Sequence, residues 1–100
     1  MKIIFNEQDL IDSACIFAAD RYNQMIHQLQ AEIQHENGNG ITAVVALQNS
    51  REVYHLTEQD LIDGSAIYLE KYHNFNPNQL SVELIFEPDQ GFSVIIEKND

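Results

Sequence analysis

Asn6-Glu7-Gln8-Asp9-Leu10-Ile11-Asp12 returns as Thr57-Glu58-Gln59-Asp60-Leu61-Ile62-Asp63, an offset of 51 positions. Carried outward without a gap, that offset aligns residues 3–48 with 54–99, and thirteen of the 46 pairs are identical. Outside the quoted stretch the identities are Ile16/Ile67, Asn23/Asn74, Gln28/Gln79, Leu29/Leu80, Glu32/Glu83, Glu36/Glu87 and Gly40/Gly91. A gapless match through helix-like and strand-like stretches alike marks an internal duplication.

Each copy then helps to read the other. Ile3–Phe5 and Val53–Leu56 are short β-type runs, followed by Asn6 and Thr57 as helix N-caps with Asp9 and Asp60 three residues on, a capping box with Asp in place of Glu. Apolar residues at 10, 11, 14, 15, 18 and 22, and again at 61, 62, 65/66, 69 and 72, have helical period. In the first copy that pattern could continue through Met25, Leu29 and Ile33; in the second, Asn76-Pro77 stops the helix. Beyond it Leu80, Val82, Leu84 and Phe86 alternate with mostly polar residues as a strand does, so Leu29, Ala31, Ile33 and His35 are expected to form one too. Asn37-Gly38-Asn39-Gly40 and Pro88-Asp89-Gln90-Gly91 are hairpin turns in which Gly supplies positive φ, and Asn49-Ser50 is a third turn.

A β-α-β-β half of about 50 residues buries too little to stand alone. Two halves related by a pseudo-twofold axis are therefore expected to form one α+β domain over residues 1–100. The expected architecture is a six-stranded, mainly antiparallel sheet with both helices on one face. The other face is expected to be open, carrying Gln30, Glu32, Gln34 and their counterparts Ser81, Glu83 and Ile85. Register decides whether Val44 and Ile95 join the core or that open face; if the latter, it becomes a better binding candidate than the helices.

The duplicated helix motif (residues 6–12 and 57–63) and the strand pattern ending in Gly91-Phe92-Ser93 resemble the YxcD-like family of small proteins of bacilli. The resemblance spans essentially the whole chain. It implies a bacterial cytoplasmic protein, and it carries over no catalytic residue, because that family is a domain of unknown function.

Five basic against sixteen acidic residues give a net charge of −11, and the basic residues are scattered. Such a surface repels phosphate backbones and anionic headgroups, which argues against nucleic-acid and membrane binding. Only three apolar residues follow Met1-Lys2, far short of a signal-peptide core, and no later run approaches a membrane span. With Cys15 as the one thiol, the cytoplasm is the expected compartment. No dinucleotide fingerprint, Walker loop or nucleophile elbow occurs, so no cofactor is expected.

The first-turn acids Asp9, Asp12, Asp60 and Asp63 are read as capping and dipole-facing groups rather than as a cation site. Cys15, whose counterpart is Ala66, is read as a small core residue. His55 and His73 end a strand and a helix; were they to meet near Asp63 or Glu70, they could hold a metal ion. Ile16 and Ile67, with Phe17 and Tyr68 beside them, fall on the helix face opposite the apolar stripe and are expected to form a partner surface, unless the helices tilt so that they pack on each other. The leading expectation is thus a non-catalytic binding or protein-interaction module, acting as a homodimer or on a protein partner. The alternative is a small metal- or ligand-binding enzyme using His55, His73 and nearby carboxylates.

Overall fold

Both helices begin on their expected caps. In the computed structural model, which describes residues 1–38 and 40–99, the Asn6 side chain accepts from the Asp9 N–H at 2.9 Å while Asp9 accepts from the Asn6 N–H at 3.0 Å. Thr57 and Asp60 repeat the exchange at 3.2 and 2.9 Å. These boxes open α1 (Glu7–Tyr22) and α2 (Glu58–His73), which follow β1 (Lys2–Phe5) and β4 (Val53–Leu56). Each helix stops earlier than Pro77 requires: Asn23 and Asn74 adopt the left-handed conformation at φ 56° and 61°, one of the identities of the duplication put to use as a C-cap. Pro77 instead opens a short 3-10 turn.

The hairpins form as expected, from β2 (Leu29–Glu36) with β3 (Gly40–Leu47) and from β5 (Leu80–Glu87) with β6 (Gly91–Lys98). Gly38, Gly40 and Gly91 take positive φ in their turns; Asn39 of the first turn lies outside the described residues. Gly40 and Gly91 have a second reason to be glycine. A Cβ at Gly40 would overlap the Glu58 carboxylate, and one at Gly91 would stand 3.2 Å from Glu7 Oε1. The first glutamate of each helix is thus lodged against the hairpin of the other copy, and Glu58 Oε2 accepts the Ile41 N–H at 3.0 Å.

The α+β class and the duplicated units hold, but the single six-stranded sheet does not. The strands form two three-stranded antiparallel sheets, ordered β1-β6-β5 and β2-β3-β4. The first strand of each copy completes the hairpin of the other, so β2 and β5 become outer strands with no shared ladder. The halves are joined by side chains and helices instead. The His35 and Phe86 rings, equivalent under the offset, stack at 4.5 Å and 15°. Ser13 and Gly64, also equivalent, meet where the helices cross: a Cβ on Gly64 would lie 2.6 Å from the Ser13 carbonyl oxygen. One copy must therefore lack a side chain at the crossing.

Leu10 and Leu61 of the helices have no exposed surface, and Leu69 of α2 with Phe5, Val45, Leu56, Val94 and Ile96 of the strands completes the core. Register pairs Val44 with Glu32 and His55, and Ile95 with Glu83 and Ile4. Alternation then puts Val44 and Ile95 on the open faces. No described helix is long and apolar enough to cross a membrane.

Candidate functional site

On α1 the helix-face residues Ile16 and Phe17 pack inward, the alternative in which the helices tilt. Ile16 is 5 % exposed and Phe17 6 %, while Ile67 and Tyr68 are half-buried. An apolar stripe on one side suits a helix that faces a sheet on that side and solvent on the other. In fact α1 packs on β2 and β3, reaches β6, and is crossed by α2, so residues 13–18 are all buried. Ile16 is a packing residue, not an outward one.

The two histidines are not brought together. His55 precedes α2 by three residues and His73 ends it, so the sixteen-residue helix, about 24 Å long at 1.5 Å per residue, separates them. His55 lies on the open face in a shallow hollow of about 520 Å³ with Gln34, Thr42 and Glu58, whereas His73 packs at 5.6 Å against the Tyr68 ring. Among the described residues no three His, Cys, Asp or Glu side chains cluster as a metal site requires.

What the fold does build is a groove of about 740 Å³ beside α1. One wall is the flank of α1, with Gln8, Ile11, Asp12, Cys15 and the edge of Ile16; the opposite rim is Tyr68 and Tyr72 from the second half of α2. Its base runs along β2 through Leu29, Gln30, Ala31 and Glu32. Four consecutive strand residues point to alternate faces, so they share one groove only where it follows the edge of the strand. β2 is such an edge. Val44 and Ala46 extend the lining onto the open face.

The polar groups of the groove are ordered by their neighbours. Gln8 Nε2 donates to Asp12 Oδ1 at 3.0 Å. The Tyr68 ring is fixed by an edge contact with Phe5 at 5.2 Å and a tilted contact with Tyr72 at 5.4 Å. Burial first, and then the negative charges of Asp9 and Asp12, hold the Tyr68 hydroxyl above its ordinary pKa. Cys15 donates weakly to the Leu29 carbonyl at 3.8 Å, and burial together with Asp12 pushes its thiol up, so it is a proton-holding packing group rather than a nucleophile. Of the expected surface, Ile16 and Tyr68 line the groove; Phe17 and Ile67 do not. Tyr72, Asp12 and Glu32 were missed as a set, although one signal was available: the offset places Tyr72 opposite Arg21 and Tyr68 opposite Phe17.

Comparison with known proteins agrees with the duplication. A model of the family described as "Protein of unknown function (DUF2653)" matches the chain twice, over residues 1–56 and 51–100. The chain is similar to the "Uncharacterized protein YxcD" of Bacillus subtilis (strain 168), with 30 % identity covering 100 % of this chain and 97 % of that protein. No solved structure matches it. Through both halves, the chain belongs to the DUF2653 family of proteins of unknown function.

Proposed function

We propose that the two halves act as one non-catalytic binding domain whose working surface is the groove beside α1. The observation that carries this reading is the lining: an aliphatic base and wall (Ile11, Ile16, Leu29, Ala31) topped by polar and aromatic tips (Gln8, Asp12, Glu32, Tyr68, Tyr72). A mostly apolar concavity with a few convergent polar groups is the usual make-up of a recognition site. Chemistry there is disfavoured by the protonated, buried Cys15 and by a lining that, among the described residues, includes no histidine.

The compartment we propose is the cytoplasm, where a lone buried thiol stays reduced, and the partner is a protein rather than nucleic acid, given the charge of −11. The test is an amide chemical-shift titration with N-acetyl amides of arginine, glutamate, leucine and phenylalanine. Shifts gathered on residues 8–16, 29–32 and 68–72 are expected with at least one of the four. No shift there with any of them, up to tens of millimolar, overturns the groove as a binding site.

A second reading, a homodimer through the open face of β1-β6-β5, is favoured by the Ile4/Ile95 pair, since Ile4 is 65 % exposed. Light scattering would then give a dimer mass that Ile4→Lys converts to a monomer; a wild-type monomer at high concentration removes this reading.

A further inference from the structure

We infer that the groove takes the guanidinium of an arginine side chain carried on a partner polypeptide, seated on the Tyr68 ring beside the carboxylates of Asp9 and Asp12. This rests on the groove being the binding site proposed above, and it follows from the way the two halves differ. Under the offset of 51, Tyr68 corresponds to Phe17, Tyr72 to Arg21, and Asp9 and Asp12 to Asp60 and Asp63. In the second set the chain supplies its own cation. The Arg21 guanidinium carbon lies 5.8 Å from the Phe17 ring centroid, and Nη1 lies 3.9 Å from Asp60 Oδ1.

In the first set Tyr72 stands at the position of Arg21 and its ring lies 5.4 Å from Tyr68, with the His73 imidazole at 5.6 Å from the same ring; no arginine or lysine lies over it among the described residues. Among the described residues no basic side chain is paired with Asp9 or Asp12; Lys71, the neighbour of Tyr72, is engaged with Asp20 at 3.6 Å. Asp12 and Tyr68 line the same groove, and the charges of Asp9 and Asp12 help to hold the Tyr68 hydroxyl above its ordinary pKa. The Tyr68 ring and the Asp12 carboxylate line one groove of about 740 Å³, with Asp9 three residues from Asp12 on α1, an arrangement suited to a cation.

Guanidinium fits better than ammonium, being planar and able to lie on a ring while it faces a carboxylate, as Arg21 does between Phe17 and Asp60. A peptide source follows from the base of the groove. It runs along the edge strand β2, where an extended segment can lie with its backbone beside the strand and a side chain reaching the tyrosines. The net charge of −11 steers a basic segment toward it.

The test is an amide chemical-shift titration with N-acetyl-L-arginine amide, its neutral isostere N-acetyl-L-citrulline amide, and free L-arginine. The arginine amide should shift the groove residues and bind at least tenfold more tightly than the citrulline amide. It should also bind more tightly than free arginine, whose carboxylate the groove repels. Tyr72→Arg, which installs the counterpart of Arg21, should lose binding at least tenfold. Asp12→Asn should weaken it several-fold, and Asp63→Asn should leave it unchanged. Equal binding of arginine and citrulline amides, or unchanged binding by Tyr72→Arg, overturns the guanidinium assignment; tighter binding of free arginine overturns the peptide source. Groove shifts with citrulline or leucine amide but none with arginine amide would sink this inference while sparing the groove; no groove shifts with any probe would sink both.

Discussion

Gly64→Ala should destabilise the protein, although helix propensity taken alone says the reverse. Gly64 sits inside α2, where Ala is favoured over Gly by about 1 kcal/mol. At this position, however, the new Cβ would stand 2.6 Å from the Ser13 carbonyl oxygen and 3.1 Å from Phe17 Cβ. The first distance is about 0.7 Å short of the roughly 3.3 Å of a relaxed carbon–oxygen contact. Relief requires the helices to part where Leu10, Ala14, Leu61 and Ser65 are all fully buried, and a gap of that size forfeits about a quarter to a half of each dispersion contact it opens. Overpacking of this kind costs about 1–3 kcal/mol, so taking about 3 for a backbone atom that cannot turn aside, and subtracting the propensity gain, leaves a net loss of about 2 kcal/mol. With a urea m-value of about 1–2 kcal/mol/M for a chain of this size, the midpoint should fall by about 1–2 M. Gly64→Ser, which merely copies the residue of the other half, should fall at least as far. A Gly64→Ala midpoint at or above that of the wild type would refute the helix crossing described here.

Glu58→Ala removes the acceptor of the Ile41 N–H and should cost about 1–2 kcal/mol in urea unfolding. Gly40→Ala places a Cβ at φ +70° against the same carboxylate and should cost more in the wild type than in the Glu58→Ala background, a coupling that a double-mutant cycle reads directly. The Cys15 thiol has its pKa raised above the ordinary 9.0, so the folded chain keeps a proton that the unfolded chain releases: its contribution to stability is present below pH about 9 and is lost as pH rises through the folded value. Urea midpoints should therefore decline above pH about 9, and Cys15→Ala, the residue of the other half, should flatten the first part of that decline.

Much of the fold could be read because the sequence states it twice. The capping boxes at Asn6 and Thr57 and the strand Leu29–Glu36 followed from pairing each residue with its counterpart, the latter only because Pro77 ruled out a continued helix. The division into two sheets was not legible. Whether β1 closes onto β6 or the two hairpins share a ladder depends on contacts between residues almost a whole chain apart, and both arrangements bury the same alternating faces. Ile16 was misplaced because a helical wheel registers one buried side, whereas α1 is covered from two. The Ser13/Gly64 mismatch was the sequence trace of that second contact. The groove left a similar trace: at Phe17/Tyr68 and Arg21/Tyr72 the copies part, Arg21 lying over the Phe17 ring where its counterpart Tyr72 lies beside Tyr68.

Arg21→Tyr exposes that difference most directly. The substitution removes the internal cation that lies between Phe17 and Asp60, at a residue whose ion pair is exposed enough to contribute little to stability. Amide chemical shifts recorded during titration with N-acetyl-L-arginine amide should then move in two clusters, one along the groove at Asp12, Glu32 and Tyr68 and a new one at Phe17, Asp60 and Asp63. The wild type should show the first cluster alone. A wild type that already shows both clusters, or an Arg21→Tyr protein that shows only the first, would contradict the view that the two halves carry the same cation site, one self-filled and one left open for a partner.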